Sequence, residues 1–416
     1  MKRVVVTGIG VVSPNGIGRD EFKESILQGR SGIQRISAFD PSTLDCQIAA
    51  EIQLNGQSFS KKEGRNLPRV AQFSILASSE AFEDARLDPA SLSEQERNRF
   101  GVLFGTGGGS VEFMEKHYEM YYGDKELLPS LYVISASTPG GLSSELSIRF
   151  GLRAKSHVIT TGCTSSADAI GYAFHEIQAG RLDCVLTGGG DAPIAEGIMQ
   201  GFCLMKVLST HWNSEPAKAS RPFSKDRDGF VLGEGAWMFI LEEKEHAERR
   251  GVKPYAEVLG YGSSCEAFHV VRLEEAGNGN FQAMSLASEE AGIPPEAIDY
   301  VNLHGTSTQL NDRVETNAMK RFFGNKVYQI PMSSTKSMIG HPQGASGAAG
   351  LAATLLAMRE KMIHPTINLD AQDPECDLDY VPNTARKHEM EYVLCNTLGF
   401  GSKCSALVLK NLSNGK

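Results

Sequence analysis

HVITTGCTSSADAIGYAFH, residues 157–175, is the stretch that decides the fold. In it a β-branched run leads through Gly162 and Cys163 directly into a segment with helical spacing. A strand, a sharp turn and a helix place the cysteine at a helix N-terminus, where unpaired N–H groups and the macrodipole favour a thiolate. The same arrangement lets a backbone N–H stabilise an oxyanion on a bound thioester. Cys163 is therefore a candidate nucleophile, and a small buried apolar side chain is the alternative interpretation.

The alternation of strand and helix patterns continues on both sides of this stretch, as is typical of parallel strands separated by crossover helices. Strands are predicted at residues 4–7, 99–104, 157–160, 184–187, 237–241, 256–261, 300–303, 329–332 and 392–396, and helices at 21–27, 69–85, 165–177, 283–291, 313–322 and 346–358. We therefore expect an α/β protein with buried sheets. New strand and helix patterns follow the charged run KEHAERRGVK, so we place a domain boundary near residue 252, between halves 1–252 and 253–416.

Composition excludes several classes of protein. The chain has 416 residues, 41% hydrophobic and 22% charged, with 41 Lys and Arg against 50 Asp and Glu, for a net charge of −9. This balance argues against a disordered chain and against generic nucleic-acid binding. The 8 cysteines form no CxxC pair, which indicates reduced thiols in a cytoplasmic protein. The apolar stretch 344–358 is too short for a membrane span, and no export signal is evident, so we expect no membrane association.

Two histidines occupy settings comparable to that of Cys163. His304 lies in NLHGTSTQLNDRVE and His341 in STKSMIGHPQGASGAAG, each where a strand is predicted to end and glycines begin. Functional side chains in α/β sheets concentrate at such positions, although a lone histidine there is more often structural. Cys163, His304 and His341 could ligate zinc, but a fourth ligand at useful spacing is not evident. We therefore expect neither a metal nor another cofactor.

Four motifs taken together resemble a known family. TTGCTSS with Cys163, NLHGTSTQLND with His304, STKSMIGH with Lys336 and His341, and NTLGFGS with Phe400 follow one another in this order. They resemble the condensing β-ketoacyl-[acyl carrier protein] synthases of the thiolase superfamily, and the resemblance covers nearly the whole chain. Within the family, the chain is similar to elongating synthases: fatty-acid type II enzymes and the catalytic α subunits of type II polyketide synthases. The phrase GCTSSADAIGYAFHEI favours the latter group.

The resemblance implies a thiolase-like fold of two similar α-β-α-β-α halves, an active site at their junction, and a dimer. Cys163 would accept the acyl group, and His304 and His341 would hydrogen-bond the malonyl thioester carbonyl. Lys336 would order His304, and the N–H groups of Cys163 and Phe400 would form the oxyanion hole. Asp312 and Glu315, three residues apart on one helix face, can pair with Lys336; an ordinary capped helix is the alternative.

The resemblance also implies substrate-binding positions: Gly108, Val133, Phe202, Thr306, Thr308 and Gly399. Gly108 stands where fatty-acid synthases of this group usually carry a bulky aliphatic residue, and Val133 where some carry Phe, so a wider acyl tunnel is expected. Ser402, Lys403 and Cys404 replace the family's usual continuation after GFG. Pro342 and Gln343 replace the usual small or apolar pair after the histidine, and the sequence gives no physical reason for this change.

The expected partners are acyl carrier protein, which is acidic, and the malonyl and acyl thioesters that it carries. SKKEGRNLPR offers Lys61, Lys62, Arg65 and Arg69 as a basic docking patch, with a solvated surface run as the alternative. The dimer partner is a second copy of the chain or a subunit of the chain-length-factor type.

Three functions remain open at this point. The first is decarboxylative condensation in a type II polyketide or polyene pathway, and the second is the same chemistry in housekeeping fatty-acid elongation. The third is a noncatalytic subunit of the chain-length-factor type, which Cys163 argues against because such subunits usually lack the nucleophile. A degradative thiolase is disfavoured, since that group generally uses a second cysteine as base.

Overall fold

The computed structural model describes residues 1–54, 59–123 and 129–412, with only the backbone of Lys61 and Lys62. Its centre is a mixed sheet that contains 11 strands in the described part of the chain. The strands are β1 Val4–Ser13, β2 Gly16–Ile17, β3 Gln34–Arg35, β4 Ile48–Ala49, β5 Phe100–Gly105, β6 Ser156–Ile159, β7 Cys184–Asp191, β8 Gly235–Glu243, β9 Ala256–Cys265, β10 Tyr300–Asn302, β11 Met332–Ser333, β12 Met362–Ile363, β13 Arg386–Lys387, β14 Tyr392–Gly399 and β15 Lys403–Asn411; the pairs β3–β4 and β12–β13 lie outside the central sheet.

The central sheet is built twice from the same pattern. The order β6-β5-β7-β8-β1 recurs as β11-β10-β14-β15-β9, and in both runs two parallel pairs are followed by two antiparallel pairs. The two runs join where β1 pairs antiparallel with β9, with Val4 opposite Val258 and Val6 opposite Ala256. The duplicated α/β fold predicted from the sequence is confirmed, but the sheet is mixed rather than wholly parallel.

Most predicted strands and all the predicted helices are present. The strand at 329–332 is wrong, because residues 324–329 form a 3-10 helix and β11 begins only at Met332. The long strand β15 was not predicted: it follows β14 through the tight connection of Phe400, Gly401 and Ser402, which leaves no loop signal between them. The predicted boundary at residue 252 lies between β8 and β9. The division into two domains stays a prediction, since one continuous sheet runs through both halves.

Helices cover both runs of the sheet. They are α1 Arg19–Leu27, α2 Lys61–Asn66, α3 Arg69–Asp84, α4 Glu94–Arg97, α5 Val111–Tyr122, α6 Val133–Ser137, α7 Gly140–Phe150, α8 Ser165–Gln178, α9 Glu196–Leu204, α10 Lys244–Arg249, α11 Asn278–Ala291, α12 Gln309–Phe323, α13 Lys336–Ile339 and α14 Ser346–Arg359. Helix α3 packs on β1 and β8, and α11 packs correspondingly on β9 and β15. Helices α8 and α14 contact each other and form the central helical layer. No helix in the described ranges is both long and apolar enough to cross a bilayer.

The contact between α8 and α14 depends on small side chains. A Cβ placed on Gly347 would lie 2.7 Å from the Cβ of Ala167 and 2.8 Å from its backbone nitrogen. The Oγ of Ser166 accepts a hydrogen bond from the N–H of Ala348 (2.9 Å), which ties the two helices together. Because Cys163 lies just before α8 and His341 just before α14, this contact also sets the separation of the two residues.

We expect Gly347→Ala to lower the free energy of unfolding by about 1–3 kcal/mol, since the added methyl overlaps backbone that cannot move away. Gly201 in α9 is the matched control, because a Cβ there meets nothing within 4 Å. Gly201→Ala should instead stabilise the protein by about 0.4–1 kcal/mol, through a smaller loss of chain entropy on folding. Urea unfolding of both variants measures this, and equal effects of the two substitutions would contradict the argument.

Candidate functional site

Cys163, His304 and His341 meet in one place, although they are far apart in sequence. The Sγ of Cys163 and a ring nitrogen of each histidine all lie within 4.8 Å of one another. Cys163 follows β6 and precedes α8, and His304 follows β10. The expected strand end before His341 is wrong, because the short helix α13 lies between β11 and His341. All three side chains are buried. The structure thus brings together the three residues whose sequence settings were singled out.

The three residues share a cavity of about 180 Å³. Its lining is largely apolar and comes from both halves of the chain. The lining residues are Cys163, Val207, Phe230, Val271, Arg272, Leu273, His304, Thr306, Thr308, Leu310, Asn311, His341, Gln343, Leu398, Gly399 and Phe400. An apolar cavity with a few convergent polar groups is the usual form of a small-molecule site.

Cys163 is held where the end of β14 passes very close to it. A Cβ on Gly399 would lie 3.1 Å from the Cys163 nitrogen, so a larger residue there would have to push the two segments slightly apart. The backbone N–H groups of Phe400 and of Cys163 itself both interact with the sulfur and lower the pKa of the thiol. Burial outweighs them and raises that pKa to about 11. The resting residue is therefore a thiol, which corrects the expectation of a thiolate based on the helix N-terminus alone.

A carboxylate binds the backbone of the loop that carries His304. Glu315 on α12 accepts hydrogen bonds from the N–H groups of His304 (2.7 Å) and Gly305 (2.8 Å). Burial, together with the nearby charge of Lys336, lowers the pKa of His304 well below its usual value, so its imidazole is neutral. Its Nδ1 is buried and has no hydrogen-bond partner in the described part of the chain.

His341 is fixed in orientation by the residues that follow it. Its Nδ1 accepts a hydrogen bond from the N–H of Gln343 (3.0 Å) and lies 3.2 Å from the Oγ of Ser346. Its ring also packs against Phe230, with centroids 5.2 Å apart. Burial lowers the pKa of His341 well below its usual value. A neutral imidazole whose Nδ1 accepts carries its proton on Nε2, so Nε2–H is the available donor.

The predicted pairing of Asp312 and Glu315 with Lys336 is not what the structure shows. Asp312 faces Arg227, whose Nε lies 3.4 Å from Oδ2, and neither carboxylate forms an ion pair with Lys336 among the residues described. Asp312 accepts instead from the N–H of Thr306 (3.0 Å). Burial lowers the pKa of Lys336 to about 8 and raises that of Glu315 to about 7, while the charge of Glu315 favours the ionised form of Lys336. The two carboxylates thus position the His304 loop, and Lys336 acts on the site through its charge.

Sequence reasoning missed three residues that support the site. Arg227 neutralises Asp312, and Asn396 donates from Nδ2 to Glu315 (2.7 Å). Asp191, at the end of β7, accepts from the N–H groups of Gly107 (2.8 Å) and Gly344 (2.7 Å), which ties the two halves together beside the cavity. The only sequence signal for Asp191 was its position directly after the glycine-rich end of a strand.

The six predicted substrate-binding residues divide into two groups. Thr306, Thr308 and Gly399 line the cavity. Phe202 reaches the cavity only through Phe230, whose ring lies 5.6 Å away, while Gly108 and Val133 are not among the lining residues. Gly108 is exposed, and its N–H is bound to Asp191 (3.0 Å). Gly108 and Val133 lie instead beside an apolar surface. This surface includes Val111 on α5, Leu131, Tyr132 directly before α6, and Ile134 on α6.

The predicted docking patch is only partly available. Arg65 is exposed on α2, whereas the side chains of Lys61 and Lys62 lie outside the described residues. The guanidinium of Arg69 turns inward and pairs with the fully buried Glu234, with 2.9 Å between Nε and Oε2. This placement argues against a docking role for Arg69, because its charge is already balanced inside the protein.

Within the part of the chain that the structure describes, two groups of side chains have ligand atoms close enough to share a metal ion. One is the trio Cys163, His304 and His341, which stops at three ligands among the residues described, whereas a structural zinc site takes four. The other is Cys184, Glu242 and His246, in which Arg250 already binds both oxygens of Glu242.

Comparison with known proteins identifies relatives over the whole chain. Residues 1–247 match the family model "Beta-ketoacyl synthase, N-terminal domain" and residues 255–370 match "Beta-ketoacyl synthase, C-terminal domain". A putative polyketide beta-ketoacyl synthase 1 from Streptomyces halstedii is 41% identical, with 98% of each chain covered. The 3-oxoacyl-[acyl-carrier-protein] synthase 2 of Synechocystis is 38% identical, again with 98% of each chain covered.

Two solved structures are also similar. One is a type II polyketide ketosynthase in complex with its acyl-carrier protein and bound to the hexaketide, with 31% identity, 99% of each chain covered and a TM-score of 0.90. The other is the ishigamide ketosynthase/chain length factor, with 31% identity, 99% of each chain covered and a TM-score of 0.89.

The lowered pKa values of His304 and His341 predict a pH dependence of stability. In the unfolded chain both imidazoles take up protons as the pH falls below 6.5, whereas in the folded protein they stay neutral to lower pH. The contribution of these two histidines to stability is therefore fully present above pH 6.5, and below it the contribution falls by about 1.4 kcal/mol per pH unit for each histidine.

Substituting both histidines by Gln should make this decline smaller, and His211→Gln, at an exposed position, is the control. Urea unfolding across the acidic range measures the slopes, and equal slopes for all three proteins would contradict the prediction.

Proposed function

The chain belongs to the β-ketoacyl synthase family, and from this premise we propose that Cys163 accepts an acyl group and condenses it with malonyl-acyl carrier protein. The observation that supports this most directly is the meeting of Cys163, His304 and His341 within 4.8 Å in one apolar cavity. The product is a β-ketoacyl thioester on the carrier protein. Every side chain assigned a role in this reaction belongs to the described part of the chain.

In the first step the sulfur of Cys163 attacks the thioester carbonyl of acyl-acyl carrier protein. The thiol proton ends on the departing carrier thiol, so the step exchanges one thioester for another. The oxygen that becomes negative is assigned to the N–H groups of Cys163 and Phe400, which already interact with the sulfur in the resting protein. Donors fixed in a water-poor cavity stabilise such an oxyanion without having to reorganise.

In the second step malonyl-acyl carrier protein loses CO2 and leaves an enolate. Its oxygen is assigned to the Nε2–H of His341 and a ring N–H of His304, both kept neutral by burial. Neutral donors hold the developing charge without first neutralising the substrate carboxylate. The enolate carbon then attacks the acyl carbonyl on Cys163, the carbon–sulfur bond breaks, and the sulfur leaves as a thiolate that takes up a proton from solvent.

The polyketide pathway is the first candidate, and it is supported by the similarity to the Streptomyces halstedii protein at 41% identity. Fatty-acid elongation is the second, supported by the Synechocystis protein at 38% identity. A noncatalytic chain-length-factor role is disfavoured because both the nucleophile and the two histidines are in place. We also propose that the protein is cytoplasmic. This location is supported by the 8 cysteines, which are all free thiols.

Helices α5, α6 and α7 present apolar side chains to solvent in a way that fits a subunit interface. Tyr122, Leu131, Tyr132, Ile134 and Ile148 are all exposed there, and α6 contacts both α5 and α7. Apolar surfaces of this kind usually mark association sites. We propose that a second subunit, either another copy or a partner of the chain-length-factor type, covers this surface together with Gly108 and Val133.

Incubation with acyl carrier proteins that carry different acyl groups tests the reaction itself. Wild-type protein should gain one acyl adduct, and Cys163→Ala should gain none, because no other cysteine lies in the cavity. His304→Ala and His341→Ala should still accept the acyl group but lose about 2.7–4 kcal/mol of stabilisation in the decarboxylation transition state. Intact-protein mass spectrometry and CO2 release measure the two steps. An adduct on Cys163→Ala, or undiminished CO2 release by both histidine variants, would refute the assignments.

We propose that Arg65, with Lys61 and Lys62, contacts the acidic carrier protein. Arg65→Glu should then raise KM for carrier-bound substrate and weaken its salt dependence, because such charges act mainly on the association rate. Lys387→Glu, an exposed reversal on β13, is the matched control. Steady-state kinetics over a salt series measures both variants. If the two variants have the same KM and the same salt dependence, Arg65 is a solvated surface residue without a docking role.

A further inference from the structure

Gln343 presents an unpaired amide beside the reactive residues. It lines the same cavity as Cys163, His304 and His341. Its Nε2 is shielded from solvent and has no hydrogen-bond partner in the ranges that the structure describes. A buried donor without an acceptor is costly, and in native proteins each such group calls for an explanation.

The backbone holds this side chain in place. The N–H of Gln343 donates to Nδ1 of His341 (3.0 Å), and the N–H of the next residue, Gly344, donates to Asp191 (2.7 Å). Gln343 also has a φ of 47°, a left-handed conformation that is unfavourable for a side chain of its type. Such conformations persist where the surroundings enforce them, and they cluster at functional sites. The backbone that carries the amide is therefore held in place by its neighbours.

The position of Gln343 indicates which part of a substrate it would meet. Its Cβ lies 3.5 Å from a Cβ built on Gly107, in the turn that follows β5 of the first half. The lining of the cavity also includes Val271, Arg272 and Leu273, which belong to a separate segment of the chain. Cys163 and Gln343 line the same cavity, so an acyl group attached to Cys163 shares that cavity with the amide of Gln343.

We infer that Gln343 determines specificity by donating a hydrogen bond from Nε2 to an oxygen of the acyl chain, close to the thioester. This inference rests on the proposed acylation of Cys163 and adds the class of acyl group: a chain that keeps a carbonyl oxygen near its reactive end. A fully reduced chain leaves the amide unpaired, whereas an oxo chain satisfies it. Sites that supply a buried polar partner discriminate against analogues that lack the matching group.

The test compares two acyl groups of equal length, 3-oxobutanoyl and butanoyl, on the same acyl carrier protein. The rate of adduct formation on Cys163 is followed by intact-protein mass spectrometry. Wild-type protein should prefer the oxo chain about tenfold, the ratio that one neutral hydrogen bond supplies. Gln343→Met, which keeps the length but removes the donor, should bring the ratio close to one. Gln343→Glu, which replaces the donor by an acceptor, should reverse the preference.

Two further variants separate specificity from folding. Gln343→Gly removes the amide and also relieves the left-handed strain, so it should remain folded in thermal unfolding and should lose the preference as Gln343→Met does. Gln28→Leu removes an exposed amide outside the cavity and should keep the wild-type ratio.

The possible outcomes distinguish the inference from the proposed function. If both acyl groups react and the ratio is the same in wild-type protein and in the Gln343 variants, the inference is overturned while acylation of Cys163 stands. If neither acyl group nor any longer chain forms an adduct with wild-type protein, the proposed function fails and the inference fails with it.

Discussion

The close contact between helices α8 and α14 is the constraint on which the site depends. Gly347 lies against Ala167 so closely that a methyl group would not fit between the helices. Helix α8 begins just after Cys163, and α14 begins just after the loop that carries His341. The distance between the two helix axes therefore sets the distance from Cys163 to His341. Larger side chains where the two helices cross would move Cys163 away from His341, and close-packed interiors offer little room to compensate.

Burial then determines the charge of each group in the site. It raises the pKa of the Cys163 thiol, and it lowers those of His304, His341 and Lys336. Every shift favours the neutral form, as expected when desolvation exceeds the local interactions. The Cys163 thiol and the two imidazoles are therefore uncharged at rest. In the proposed reaction charge appears on the substrate, and fixed N–H groups stabilise it.

Carboxylates that do not face the cavity hold the catalytic loops in place. Glu315 and Asp312 accept backbone N–H groups of the His304 loop, and Asp191 accepts those of Gly107 and Gly344. A carboxylate that receives several fixed N–H groups restrains the loop more firmly than the loop's own backbone could. The backbone N–H of Gln343 orients His341, while Nε2 of its side chain has no hydrogen-bond partner among the residues described.

The sequence alone predicted most of the elements and singled out Cys163, His304 and His341. The period of apolar residues predicts α8 and α14, and a strand, a turn and a helix mark Cys163, because these signals are local. The tertiary structure decided everything that depends on residues distant in sequence. Glu315 binds loop backbone rather than Lys336, Arg69 turns inward to Glu234, and Gly108 faces an exposed surface instead of the cavity. It also decided that Cys163 rests as a thiol, since burial is a property of the assembled fold and no spacing of residues encodes it.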